Sequence, residues 1–532
     1  MKRRKAVGSH RGSPVVKQEQ EQKQEPKTGG EVVKVLKFGG CCLESRERLE
    51  RVVDVVRLAE PPVVVVVSAV AGVTNRLHQI LAGKPSDEAI TGAIADLKSR
   101  HFLPFGGSPD AERDIDEVLL RLERTLFGMS YAGEVTPRIH DFVVSTGERL
   151  SAILVAAHLV RAGLAARAFN AEEAGMRCDG RHGSATLDLA ATAEATERCL
   201  KPYVAAGGIP VVTGYYAITP DGHAATVGRS GSDYSATALA SVLGARRVEI
   251  WKGVAGFMDT DPEMVAEARV IPELTYDEAA ELAHFGARVI HPRAVEPARE
   301  RDIPIHILHI DAPGSAGTRI SASTARDKQS IKSVSFRRGL SILRVVARNG
   351  RSQGRSMAAI VGCLEDAGVG IASVTTSPAS MALLIETRDE RCALAALKDL
   401  PPGVAEGAQL SPGAAVICAL GHELAESRTI AGRVFCAIAR EKVAVDLISA
   451  GASEVAYHFT VPERDLEAAV RAIHREFFAR RDVGRRLCVY ATPSKAPARP
   501  ACMEVVTSDR ASVEVAQPSW PGLEGNAART AP

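Results

Sequence analysis

Little in this chain marks a secreted, membrane-bound or nucleic-acid-binding protein. Long apolar runs are missing: Val63–Val67, a run of five valines, has the size of one buried strand, not of a bilayer span. A surplus of charge is missing too, since 66 basic residues face 64 acidic ones and leave a formal charge of +2. No global field then draws the chain to nucleic acid or a membrane surface, and an anionic ligand has to be held locally. The 10 cysteines never fall into C-x-x-C spacing, and the adjacent Cys41 and Cys42 are badly placed to bond to each other. A reduced, cytoplasmic setting fits that usage. The first thirty residues carry almost no large apolar side chain and so lack a signal-peptide core, while Glu19, Glu21 and Glu25 count against a transit peptide. Residues 1–31 and the Pro/Ala-rich end, 492–532, read as disordered tails.

What is present is an ordinary globular composition, 45% hydrophobic and 24% charged, on 532 residues that allow several domains. From Val32 the pattern becomes strand (32–38), Gly39-Gly40 turn, amphipathic helix (43–58), β-branched strand (63–68) and a second glycine turn before another helix. That grammar predicts a mainly parallel sheet buried on both faces, a three-layer αβα fold, with its ligand crevice at the carboxyl ends of the strands. Residues 87–126 read as helical. The sequence Phe142-Val143-Val144-Ser145 leads to a helix over 152–161, and strands follow at 166–170, 209–213, 247–251 and 303–310. A catalytic domain over 32–311 is then followed by a Gly/Ser/Thr-rich link, 312–332. Two β-α-β-β-α successions over 333–400 and 401–491 suggest a repeated ferredoxin-like unit, with 486–490 as a strand returning to the first copy.

Chemistry concentrates at glycine-bearing turns that end strands. Lys37 precedes Gly39-Gly40, so the turn is not a Walker A loop. Thr226-Val227-Gly228-Arg229-Ser230-Gly231-Ser232-Asp233 runs toward an apolar helix over 237–243, which aims free N–H groups and a positive dipole end at one spot. With Glu148 on a third turn, Lys37, Arg229 and Asp233 suggest phosphoryl transfer, in which cations neutralise phosphate oxygens and carboxylates place an amine. The bland readings are a helix-start carboxylate for Glu148, a strand-closing Ser68 and a packed loop residue for His291. Lys37 before a double glycine has no ready structural explanation.

Five motifs in order resemble the aspartate kinases, the branch of the amino-acid kinase superfamily that carries paired regulatory ACT domains. They are Lys37-Phe38-Gly39-Gly40, the segment from Val67 to Asn75, Ser145-Thr146-Gly147-Glu148-Arg149-Leu150-Ser151, the segment from Gly228 to Ala236, and the one from Tyr276 to Pro292. The resemblance covers residues 33–490. It implies transfer of the γ-phosphoryl group of ATP, with Mg²⁺ riding on the phosphates, to the side-chain carboxylate of L-aspartate, the entry to lysine, threonine and methionine synthesis. By matching position it assigns Lys37 and Asp233 to catalysis, and Ser68, Thr74, Glu148, Arg229 and Ser232 to the amino-acid substrate. Lys37, Gly39, Gly40, Lys252, Gly253, Met258 and Arg288 fall to ATP. It also implies lysine or threonine as effector and a homodimer or larger oligomer joined through the ACT units.

The chain departs from that family at informative places. Cys41-Cys42 replaces a Thr-Ser pair, Lys252-Gly253 a Thr-Asp pair, Glu263 an arginine and Arg288 a lysine; Ala372 and Pro378 stand in the first ACT unit where aspartate and glutamate are usual. A thiol is a poor donor to phosphate, and a missing aspartate removes a partner for an effector's ammonium group. These changes motivate an alternative expectation, a weakened paralogue that acts as an amino-acid-sensing subunit.

Overall fold

The structure, a computed structural model, describes residues 33–83, 85–102, 108–287, 289–324, 331–347, 353–401, 404–421, 424, 429–449 and 451–478. The strands of the first region are β1 (Lys34–Phe38), β2 (Val63–Val67), β3 (Ala166–Phe169), β4 (Ile209–Thr213), β5 (Tyr216–Ile218), β6 (Ala224–Thr226), β7 (Arg247–Lys252), β8 (Glu273–Thr275), β9 (Ile305–His309) and β10 (Thr318–Ser321). Eight of them form one sheet in the order β3-β4-β2-β1-β7-β9-β10-β8, and β5 and β6 form a separate hairpin. From β3 to β9 every neighbour is parallel; β10 alone runs antiparallel to β9.

Side-chain alternation shows why this sheet needs two covering layers. In β2, Val64 and Val66 enter one apolar cluster with Leu239 of the helix Gly231–Leu243, while Val63, Val65 and Val67 enter a second with Leu150 and Val155 of the helix Thr146–Arg161. All five valines are buried. A run without polar alternation is stable as a strand only when both faces are covered. Each buried valine contributes about 1.5–3 kcal/mol, which favours the sandwiched arrangement over an exposed face.

Several local expectations are corrected. The helix predicted from residue 237 already begins at Gly231, so Ser232 and Asp233 lie in its first turn. Likewise 142–144 is helical, within Pro137–Val144, and the next helix begins at Thr146 rather than at 152. Both starts are hidden by small or polar residues, which sequence reads as turns although a helix N-terminus uses them too. The stretch taken as a link, 312–332, contains β10, which pairs with β9 and β8. The combined helical run Pro137–Arg161 is also apolar and long enough to cross a membrane, contrary to the reading that no such stretch exists; 83% of that window is buried inside the protein.

The second region is one continuous six-stranded sheet, β12-β13-β11-β14-β16-β15, built from β11 (Ser333–Ala347), β12 (Ile371–Thr376), β13 (Ser380–Glu386), β14 (Ala405–Leu420), β15 (Ile448–Ser449) and β16 (Ala456–Pro462). Its two halves, each β-α-β-β-α, join along the long antiparallel pair β11–β14. The strand expected over 486–490 and both tails lie outside the described residues.

The helix Tyr276–His284 and the loop 258–265 share the contact between the two regions; the helix is the part nearest the strand ends described below. Its Glu278 meets Lys332 at 2.9 Å with both side chains buried, and the Phe285 ring that follows stacks on His458 of β16 at 3.8 Å. Gly286 has φ +119, and a Cβ there would overlap the Phe336 carbonyl of β11, so only glycine fits this close approach.

Candidate active site

The carboxyl ends of β1, β2, β4 and β7 are laced together by backbone bonds: Gly39 N–H donates to Trp251 O at 3.1 Å, Ser68 to Phe38 O at 3.1 Å and Gly214 to Val67 O at 3.0 Å. Side chains that leave these ends converge on one crevice. Lys37 projects from β1 and Lys252 from the end of β7, and both reach Asp233 in the first turn of its helix. The distances are 2.6 Å from Lys37 Nζ to Oδ1 and 2.7 Å from Lys252 Nζ to Oδ2. Lys37 and Asp233 are 5% and 2% exposed, so water screens this charge set little. Burial on its own would raise the Asp233 carboxyl, but the charges of Lys252 and Lys37 overcome it and hold the group below the usual carboxylate range.

Glu148 forms the second anchor. It lies in the first turn of the Thr146–Arg161 helix, 3% exposed, and its Oε1 accepts from Ala69 N–H at 3.0 Å. Burial dominates its titration and raises the carboxyl to about 8, against the pull of the Ala69 and Glu148 N–H groups and of Lys37. Its other oxygen, Oε2, is buried without a hydrogen-bond partner among the described residues. An unsatisfied buried acceptor is costly, and one beside a crevice suits a ligand's donor. Gly147 stands against Ala69 and Val73, where a side chain would push the strand-end loop aside.

Among the other predicted residues, Ser232 is buried against Gly214, and Ser68 closes β2 beside Glu148's partner Ala69. Gly40 packs on the Ala69 carbonyl, and Gly253 is exposed with the Cys41 sulfur beside it. Thr74 is half-buried in the first turn of the helix Val73–Ala82. Arg229 is exposed on the glycine loop; its charge helps to depress the nearby His291 ring, although burial is the main cause there. Met258 is half-buried, and its carbonyl accepts from Ser333 Oγ at 2.9 Å, at the junction with the six-stranded sheet. Arg288 lies outside the described residues. Glu263, the residue expected to repel a phosphate if it faced inward, is exposed.

The cysteine pair is sharply polarised. Contact with the Cys42 thiol is the largest influence on Cys41, and together with the Gly253 N–H, Lys37 and Arg48 it outweighs burial and lowers the group to about 6. Cys42, buried and donating to Trp251 O at 3.2 Å, is pushed upward by the same contact and by burial.

Two positioning residues were missed in the sequence. Asp141 is fully buried; its Oδ1 accepts from Thr226 Oγ1 at 2.8 Å, and its Oδ2 from Gly183 N–H at 2.9 Å and Thr226 N–H at 3.1 Å, tying β6 and the loop before Arg229 in place. Arg293 braces the same loop by donating to Val227 O at 3.4 Å and Ala185 O at 3.0 Å. The signal for Asp141 was an acid inside the apolar run 139–144; Arg293 gave none beyond its nearness to His291-Pro292.

The chain that builds this site has relatives among known proteins. The model of the amino acid kinase family matches residues 33–309, and that of an ACT domain matches 417–477. The first spans over half of the chain, which belongs to that family. Within the family its relatives are aspartokinases. Aspartokinase 2, chloroplastic, of Arabidopsis thaliana is 32% identical over 476 residues, 85% of each chain. Lysine-sensitive aspartokinase 3 of Escherichia coli (strain K12) is 29% identical over 84% of this chain and 99% of its own. The E. coli aspartokinase III crystal structure with aspartate and ADP, its R-state, covers 84% of this chain and 100% of its own, with a TM-score of 0.74 at 29% identity. The T-state complex with lysine and aspartate gives 0.68 over 84% and 99%.

Proposed function

We propose that this crevice carries out the aspartokinase reaction, in which the γ-phosphoryl group of ATP passes to the side-chain carboxylate of L-aspartate to give 4-phospho-L-aspartate, the first step toward lysine, threonine and methionine. The observation that carries the site assignment is the buried Lys37–Asp233–Lys252 set, two cations on one carboxylate, which leaves net positive charge at the strand ends. No covalent intermediate with the protein is required, since the substrate carboxylate is the nucleophile. Lys37 neutralises charge on the transferring group, and Asp233 holds Lys37 in line. Arg229 takes the substrate's α-carboxylate in a bidentate pair, Glu148 Oε2 accepts from its ammonium group, and Ser68, Thr74 and Ser232 supply hydrogen bonds. Gly39, Gly40 and Gly253 let the nucleotide approach the backbone, with Lys252 and Arg288 as further cations.

For Mg²⁺, the donor set fits an ion brought by the nucleotide. No group of three or more His, Cys, Asp or Glu suited to a metal occurs among the described residues, and both Asp233 oxygens already face lysines. When bound, the ion screens the phosphate oxygens; the protein's part is to hold the two reactants in line.

Lysine is the proposed effector, from the lysine complex of the E. coli relative. A cavity of about 300 Å³ lined by His284, Arg337, Ala372, Glu386, Arg388 and Asp389 offers both signs of charge near the region junction. Edge strands β12 and β15 close the regulatory sheet, with Ile448 of β15 49% exposed, which supports assembly with a second copy. Light scattering that returns a monomer at micromolar concentration would remove the dimer. A cytoplasmic setting rests on free cysteines such as Cys41, Cys42, Cys178 and Cys418; cell fractionation decides it. No observation favours the sensor-subunit alternative.

The test is trapping of acyl phosphate as a hydroxamate with aspartate or glutamate as acceptor. Aspartate-dependent product that falls by about 100-fold in kcat/KM in Arg229→Ala supports the reading, using the usual cost of losing a charged substrate contact. Equal turnover of glutamate, or no product, overturns it.

A further inference from the structure

Lys252 makes a second contact that the chemistry above does not use. Besides Asp233 Oδ2, its ammonium donates to the backbone carbonyl of Val289. Val289 and Ile290 are buried in the apolar cluster under the sheet. A few residues earlier, Phe285 stacks on His458 of β16, His458 Nε2 lies 3.2 Å from Glu281, and Gly286 is pressed against the Phe336 carbonyl of β11. The chain around Val289 is therefore seated on the regulatory sheet on one side and on Lys252 on the other.

We propose that Lys252 is a positioning residue: it ties Asp233, and through it Lys37, to a segment whose place is set by the regulatory sheet. This rests on the aspartokinase reading of the crevice. A sliding of the regulatory sheet against the Tyr276–His284 helix moves the Val289 carbonyl, and Lys252 must follow or release it. Either way the geometry of Asp233 changes without any effector touching the crevice. The charged groups that face Asp233 are Lys37 from β1 and Lys252 from β7, with Glu148 facing Lys37 from the Thr146–Arg161 helix.

Lys252→Met keeps the length of the side chain and removes the charge. The expected result is a kcat lower by about 10- to 100-fold, the range for misplacing a catalytic group by about an ångström, with the KM for aspartate within about twofold. The acid limb of kcat moves to higher pH, because Asp233 loses one of the two cations that keep it ionised. His458→Ala slows turnover in the natural background and adds nothing in the Lys252→Met background. Additive effects, or an unmoved acid limb, overturn the proposal, since a merely structural lysine would lower thermal stability and leave both readouts alone. Amide exchange at Ile290 and His291 separates this from failure of the kinase reading: it accelerates in Lys252→Met even if the natural protein makes no acyl phosphate, and unchanged exchange ends the tether.

Discussion

Two of the buried lysine–carboxylate pairs among the described residues look alike by burial and distance, yet are built for different ends. Lys37–Asp233 in the crevice spans 2.6 Å at 5% and 2% exposure; Lys332–Glu278 at the junction spans 2.9 Å at 3% and 0%. Glu278 closes on itself. Its carboxylate also accepts from the Thr275 N–H in a capping box, and Lys332 reaches Thr324 as well, so that pair is a structural bolt with one cation for one carboxylate. Asp233 carries two lysines for one negative charge, and the surplus is directed to the strand ends, where glycines leave room for a ligand. Burial and pairing do not mark function; unbalanced charge beside an open approach does.

Removal of the cations should separate the two pairs. Lys37→Met lowers kcat by about 10²–10³, the usual cost of one preorganised charge in transfer chemistry, while Asp233 keeps Lys252 and the melting temperature falls by less than roughly 5 °C. Lys332→Met does the reverse. It leaves Glu278 uncompensated, costs about 3–5 kcal/mol, roughly 10 °C by calorimetry, and changes kcat of the folded protein by no more than about threefold.

Glu148 sharpens the contrast through pH. Its raised carboxyl, about 8, means that it is largely protonated at pH 7 and must ionise to accept a substrate ammonium group. The KM for aspartate should therefore fall by up to about tenfold per pH unit as pH rises toward 8 and level off above it. Glu148→Gln should flatten that profile; a KM independent of pH between 6 and 8 in the natural protein would detach Glu148 from the substrate. The smallest effect belongs to Cys41. A thiol is a poor donor to phosphate oxygens, so Cys41→Ser, which supplies a hydroxyl donor, should lower the KM for ATP at pH 7.5 by about two- to fivefold, the range for one modest hydrogen bond.

The catalytic sheet was legible because its strands need cover on both faces: five consecutive valines admit few other environments. Lys37 and Asp233 were legible as strand-end and helix-start charges beside glycines, although their contact was not. Helix starts at Gly231 and Thr146 were misplaced because small polar residues signal both turns and N-termini. Strand β10 was lost in a Gly/Ser/Thr-rich stretch, since four residues with a single large apolar side chain, Ile320, give little strand signal. Asp141 and Arg293 act through backbone carbonyls and amides that only the folded chain brings within reach.

The central claim is that the unbalanced pair does the chemistry and the balanced pair does not. Hydroxamate trapping with ATP, Mg²⁺ and aspartate, run side by side on the natural protein, Lys37→Met and Lys332→Met and normalised to folded protein, tests it most directly. The account predicts strong signal from the natural protein, near-native signal from Lys332→Met and at most about one per cent from Lys37→Met. Comparable signal from Lys37→Met, or equal loss in both variants, would contradict it.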